Sequence, residues 1–210
     1  MSELSADNRV LTGMKTKIQT QQIRNYRYLI MWCGLLLTGL LLSVSQSVSA
    51  AGIETAQLSA EQRAHISELP SILTAEQTIT DDIPFDDRVV VVTFFASWCP
   101  PCLDEFKALN AIKNKLGTDN ITIVALNVFE EFDDNDEVRM AKFLDNTQPE
   151  FRVLEGTDES RELFGGINRI PTLLVYDRTG NMAFNFVHKR GAKKQSVDES
   201  ELLGAIEPLL

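Results

Sequence analysis

Val89-Val90-Val91-Val92-Thr93-Phe94-Phe95-Ala96-Ser97-Trp98-Cys99-Pro100-Pro101-Cys102 is the stretch that decides how this chain folds. The run from Val89 to Phe95 is β-branched and aromatic throughout, which spells a short strand buried on both faces. Ala96-Ser97-Trp98 then carries the chain off the strand end. Beyond the second cysteine, Leu103, Phe106, Leu109, Ile112 and Leu116 recur at three- and four-residue intervals. That is the stripe of an amphipathic helix, which Gly117 can end and whose first turn suits Pro100 and Pro101.

Two thiols three positions apart thus stand where a strand turns into a helix. Cys99 falls at the helix N-terminus, where unpaired backbone amides and the macrodipole favour a thiolate, so it is the candidate nucleophile. Cys102 lies one turn further in and suits the resolving role, attacking a mixed disulfide to release the reduced substrate. Two other readings compete with a redox pair. A structural disulfide across so small a loop would remove little chain entropy. A zinc site would want two more ligands, and the chain offers only Cys33, His65 and His188.

Outward from this centre the pattern alternates. Ile121 to Val128 reads as a second buried strand, and Val138 to Leu144 as a helix after a polar segment. Phe151–Leu154 is a short strand and Asp158–Phe164 a short helix. Thr172–Tyr176 and Met182–Val187 form an antiparallel hairpin across Asp177-Arg178-Thr179-Gly180. Ser196-Val197-Asp198-Glu199 has capping-box spacing before a closing helix striped by Leu202, Leu203 and Ile206. Toward the N-terminus, Ser59 to His65 suggests a short helix and Ile72 to Phe85 a hairpin. The sum is an α/β fold, a central mixed sheet flanked by helices on both faces.

Tyr28 to Leu42 is almost wholly apolar, preceded by Arg9, Lys15, Lys17, Arg24 and Arg27 and followed by the small-residue segment Ser43–Ala51. This is an export segment, either a signal peptide cleaved near Ala50 or an anchor left in the inner membrane over about residues 28–50. The expected division is therefore a leader at 1–51, a linker at 52–69 and one domain at 70–210. Met31-Trp32 before Cys33 lacks the small residues of a lipid-attachment site. Residues 1–50 hold 5 of the 20 basic and 2 of the 30 acidic side chains, leaving 15 against 28, a net −13 beyond residue 50. Such a charge argues against nucleic acid as a partner. The destination, a bacterial periplasm, is oxidising, yet the only cysteines after the leader are Cys99 and Cys102. Disulfides are not used there for architecture.

Strand, Trp-Cys-x-x-Cys helix, strand, helix, Ile170-Pro171-Thr172, hairpin and final helix together resemble the thioredoxin fold over about residues 70–210. Phe95 to Cys102 with an export leader is similar to the TlpA/ResA-type branch of periplasmic thiol:disulfide oxidoreductases. The resemblance implies a cis Pro171 opposite the cysteines, with the Ile170 backbone open to an extended substrate segment. It also implies substrate contact by Trp98, Pro100, Pro101 and Ile170. Thioredoxin carries an acid six positions before its first cysteine, where this chain has Thr93. The resemblance offers Glu130, past the end of the second strand, as a substitute proton shuttle for Cys102. The competing reading is that Glu130, Glu131, Asp133, Asp134, Asp136 and Glu137 are a solvated loop and helix start. That run lacks the glycine and ligand spacing of a calcium loop, and His188 to Lys194 reads as a basic solvated turn.

The expected activity is reduction of disulfides in exported proteins by dithiol/disulfide exchange, with no cofactor beyond the Cys99–Cys102 couple and no metal. Pro100 and Pro101 donate no amide hydrogen to a sulfur anion, which favours a reductant. The resemblance implies apocytochrome c among the substrates, in cytochrome c maturation, a membrane protein as electron donor and a monomeric chain. Two other classes remain open: a binding or chaperone module on the same fold, and a peroxide- or sulfenic-acid-handling enzyme.

Overall fold

Each of the seven residues of β1 (Val89–Phe95) is buried, and their alternation sorts two cores. Val89, Val91 and Phe95 face one cluster with α2 (Pro100–Leu116), α3 (Asp136–Thr147) and α5 (Glu199–Ile206). Val90, Val92 and Phe94 face a second cluster with α1 (Ala60–Glu68), Phe164 and Ile167. Thr93 falls between Val91 and Phe95, so it points toward α2. The structure is a computed structural model that describes residues 57–72, 82–131 and 135–210. The expected leader at 1–51 with Cys33 and the cleavage site near Ala50, most of the hairpin expected between Ile72 and Phe85, and Asp133 and Asp134 lie outside the described residues.

Five strands form one sheet in the order β3-β2-β1-β4-β5, with β2 (Ile121–Asn127), β3 (Arg152–Glu155), β4 (Thr172–Tyr176) and β5 (Met182–Val187). β1, β2 and β3 run parallel, while β4 is antiparallel to both β1 and β5, giving the mixed sheet that the alternation of elements implied. Parallel neighbours need crossovers, and α2 and α3 supply them on the face of the first cluster. Phe95, at the end of β1, lies 4.7 Å from Phe106 and 5.2 Å from Phe143, ring centre to centre. These rings fasten the start of α2 and the middle of α3 to the strand end that carries the cysteines.

Two boundaries differ from the sequence reading. Residues 57–69 of the expected linker are built into the domain: Leu58 and Ile66 are buried in the second cluster. Ser59 and Gln62 form a capping box at the start of α1, and Gln62 Nε2 donates to the Leu163 carbonyl at 2.8 Å. Leu163 ends the short helix α4 (Asp158–Leu163), so α1 is tied to the fold through a buried polar contact and a covered apolar face. The closing helix starts at Glu199 with Asp198 as its cap, accepting from the Glu201 amide at 2.9 Å. Val197 is buried just before it, which fixes the entry of the chain and leaves Ser196 outside the helix.

Candidate active site

At the end of β1 the chain turns through Ala96, Ser97 and Trp98, and the Cys99 amide donates back to the Ala96 carbonyl at 3.2 Å. Cys99 caps α2 with Pro100 and Pro101 directly after it, and the Cys102 amide donates to the Cys99 carbonyl at 3.1 Å. The helix starts here because proline tolerates a first turn, where its missing amide costs no hydrogen bond. Cys99 and Cys102 form a disulfide, their Cα atoms 5.3 Å apart. Cys99 is 4% exposed and Cys102 0%, while Trp98 beside them is 37% exposed. Cys99 is therefore the member of the pair nearer solvent, directly after an exposed Trp98 in the chain.

Ile170–Pro171 is a cis peptide. The β1–β4 ladder ends at Phe94 opposite Thr172, so Ile170 lies beyond the pairing with β1. Pro171 is buried and its carbonyl accepts from the His188 amide at 3.0 Å, while Ile170 is half-buried.

Glu130 holds the turn from outside. Its carboxylate accepts from the Ser97 amide at 2.9 Å, from the Ser97 hydroxyl, and from Asn127 Nδ2 at 2.7 Å. Arg139, in the first turn of α3, places Nε 3.9 Å from Glu130 Oε1 and donates to the Ser97 hydroxyl oxygen at 3.2 Å, and its guanidinium also pairs with Asp136. Trp98 Nε1 donates to the Phe129 carbonyl at 2.7 Å, and Phe129 has a left-handed backbone, φ 59°. The Arg161 guanidinium stacks 4.4 Å from the Phe129 ring centre. The loop after β2 is thus clamped to the residues just before Cys99.

The sequence reading missed Glu105. It lies one helical turn past Cys102, fully buried like Cys102 itself, on the face of α2 that meets the sheet. One carboxylate oxygen, Oε1, accepts from the Thr93 hydroxyl, while Oε2 is buried with no hydrogen-bond partner among the described residues. Burial raises its pKa to about 7 from an ordinary 4.5, with the Thr93 hydrogen bond opposing the rise. A signal for it existed: Glu105 interrupts the apolar stripe formed by Cys102, Phe106, Leu109 and Ile112. A carboxylate on a buried stripe three residues past a thiol needs a reason to be there.

A strand, a disulfide at the start of the following helix and a cis proline facing that strand are now in place, and residues 59–206 match the family model described as Redoxin. The chain belongs to the Redoxin family. This redoxin is a thiol:disulfide oxidoreductase with its Cys-x-x-Cys active site at Cys99 and Cys102. It is similar to thioredoxin-1 of Drosophila yakuba, 29% identical over 80 residues that cover 36% of this chain and 74% of the relative. Among solved structures it resembles a thioredoxin-like superfamily protein, with TM-score 0.51, 17% identity and coverage of 67% of this chain and 94% of the other. That likeness concerns the fold. A thiol:disulfide interchange protein of Chlorobium tepidum aligns at 23% identity and TM-score 0.49, covering 60% of this chain and 81% of its own.

Proposed function

We propose that this redoxin is an exported reductase of protein disulfides, with Cys99 attacking, Cys102 resolving and Glu105 carrying the proton of Cys102. The observation that carries the reading is a reversible pair at a helix start with a buried, incompletely hydrogen-bonded acid one turn beneath its inner member. Cys99 thiolate attacks one sulfur of a substrate disulfide; that S–S bond breaks, a mixed disulfide forms, and one substrate thiolate leaves. Cys102 then gives its proton to the Glu105 carboxylate as its sulfur attacks Cys99 Sγ. The mixed disulfide breaks, the second substrate thiolate leaves, and Cys99–Cys102 closes. Two electrons have passed from the protein dithiol to the substrate.

Glu130 takes an anchoring role in this reading, because donors already surround its carboxylate, and Ser97 rather than a cysteine is what it holds. Trp98, Pro100, Pro101 and Ile170 frame the mouth, where an extended substrate segment adds alongside Ile170. The direction is reducing because two prolines after Cys99 leave its thiolate short of amide donors, which destabilises the dithiol relative to the disulfide. The leader read from the sequence sends the domain to a periplasm, where a membrane protein would recharge it with electrons and apocytochrome c fits as a substrate. Both partners need only exposed cysteines.

With dithiothreitol as electron source, the full chain is expected to reduce insulin, Cys99→Ser to abolish this, and Cys102→Ser to accumulate mixed disulfides visible by mass spectrometry. Full insulin reduction by Cys99→Ser overturns the mechanism. A redox titration against glutathione reports direction: a couple more oxidising than glutathione would overturn the reductase assignment while leaving the exchange chemistry intact.

A further inference from the structure

Thr93 is fully buried on β1, and its hydroxyl has two partners on opposite sides. One is Glu105 Oε1 on α2; the other is the Thr172 carbonyl, 3.3 Å away on β4, directly after Pro171. A hydroxyl carries one proton and two acceptor lone pairs, so it cannot donate fully to both. With Glu105 ionised, the proton must go to the carboxylate, an acceptor only. With Glu105 protonated, the carboxyl can donate to Thr93 Oγ, and the Thr93 proton is released to the Thr172 carbonyl.

We propose that Thr93 is a positioning residue for the second half of the exchange, its hydroxyl turning between Glu105 Oε1 and the Thr172 carbonyl as Glu105 loses and gains the proton of Cys102. The inference rests on the assignment of Glu105 as that proton carrier. In the dithiol protein the carboxylate is held by Thr93 facing its task. After Cys102 has surrendered its proton and the disulfide has closed, the same hydroxyl hydrogen-bonds the strand beside the substrate-facing Ile170–Pro171 segment. The state of the sulfurs is thereby passed to the main chain of β4 by one rotating O–H, with no net proton gained or lost by Thr93.

Among the described residues, no charged neighbour offers an alternative source of this coupling. β1 and β2 carry no titratable side chain, and β4 carries Tyr176 at its far end. Beside Glu105 on α2, Asp104 pairs with Lys107 at 3.7 Å on the solvent side. α3 contributes Asp136, Glu137, Arg139, Lys142 and Asp145, and α5 contributes Glu199 and Glu201, all at least partly exposed. Burial and the Thr93 hydroxyl are what set the acidity of Glu105.

The test compares the full chain with Thr93→Val, Thr93→Ser and Glu105→Gln. Each reduced protein is mixed with a disulfide-bonded peptide, and decay of the mixed disulfide is followed by acid quench and mass detection across pH. The carbonyl carbon resonance of Thr172 is titrated in parallel. Thr93→Val, which replaces the hydroxyl by a methyl of similar shape on a valine-rich strand, is expected to move the midpoint of mixed-disulfide decay upward by about one pH unit. It is also expected to flatten the Thr172 titration, and Thr93→Ser to restore both. If Glu105→Gln removes the pH step while Thr93→Val changes neither readout, the hydroxyl relay is overturned and Glu105 stands. A Thr93→Ser profile displaced as far as that of Thr93→Val would also overturn the relay, since packing alone would then explain the shift. If Glu105→Gln keeps the parent pH profile, the proton-carrier assignment fails and the relay with it.

Discussion

Two carboxylates flank the redox pair, and their surroundings are opposite. Glu130, on the outside, accepts from an amide, a hydroxyl and a side-chain amide, with a guanidinium nearby. Glu105, on the inside, has one hydroxyl on one oxygen and, among the described residues, no hydrogen bond on the other. A carboxylate ringed by donors is a fixed anchor for the groups that donate to it; one buried with a single donor is pushed by desolvation toward its protonated form. In the proposed exchange, the contrast separates what holds the active-site turn in place from what moves its protons.

The largest effect that this contrast predicts is kinetic. Glu105→Gln keeps the shape and removes the proton acceptor, so resolution of the mixed disulfide should slow on the order of 10²-fold at neutral pH. Attack by Cys99, read as formation of the mixed disulfide, should change far less. The two rates are separable by quenched flow. Equal slowing of both would mean that Glu105 shapes the site rather than carrying the proton.

Next in size is an effect on stability. Glu105 holds its proton up to about pH 7 in the folded protein but only to its ordinary value of 4.5 when unfolded. Between those values the native state binds the extra proton, so stability falls as pH rises through this window. The loss approaches about 3 kcal/mol once both states are ionised. Urea unfolding of the oxidised chain at pH 4, 6 and 8 should show this decline, and Glu105→Gln should remove that part of it. A parent and variant with parallel pH dependence would place the buried anion in better company than the structure shows.

Much of the fold was legible because its signals are local and repeated. The valine run of β1 and the stripe after Cys102 each declare an element, and their order leaves few topologies for a mixed sheet. The short helix within Leu58–Leu69 was legible but its place in the domain was not, since it is polar around most of its circumference and docks through Leu58, Ile66 and one Gln62 hydrogen bond. At the site, Cys99 and Cys102 are visible from spacing and neighbours, and Pro171 from the resemblance to the thioredoxin fold. Glu130 was singled out and Glu105 missed for a physical reason. An acid at a strand end attracts notice by its place in a loop, whereas the value of Glu105 comes from a missing partner on Oε2, which only three dimensions reveal. Two sequence clues pointed inward: Thr93 at the position of the usual acid, and Glu105 breaking the apolar stripe after Cys102.

The smallest expected effect lies in the outer layer. Ser97→Ala removes the hydroxyl that donates to Glu130 and accepts from Arg139, but leaves the Ser97 amide and Asn127 on the carboxylate and Asp136 on the guanidinium. The loss should be about 1 kcal/mol in urea unfolding, the scale of one net hydrogen bond. Turnover of insulin should fall no more than a few-fold, since the main-chain link from Ser97 to Glu130 still holds the turn before Cys99. Its pH midpoint for mixed-disulfide decay should coincide with that of the parent, because in the proposed exchange no proton passes through this layer. A midpoint displaced in Ser97→Ala, with the midpoint of Glu105→Gln unmoved, would exchange the roles of the two carboxylates and make Glu130 the carrier after all.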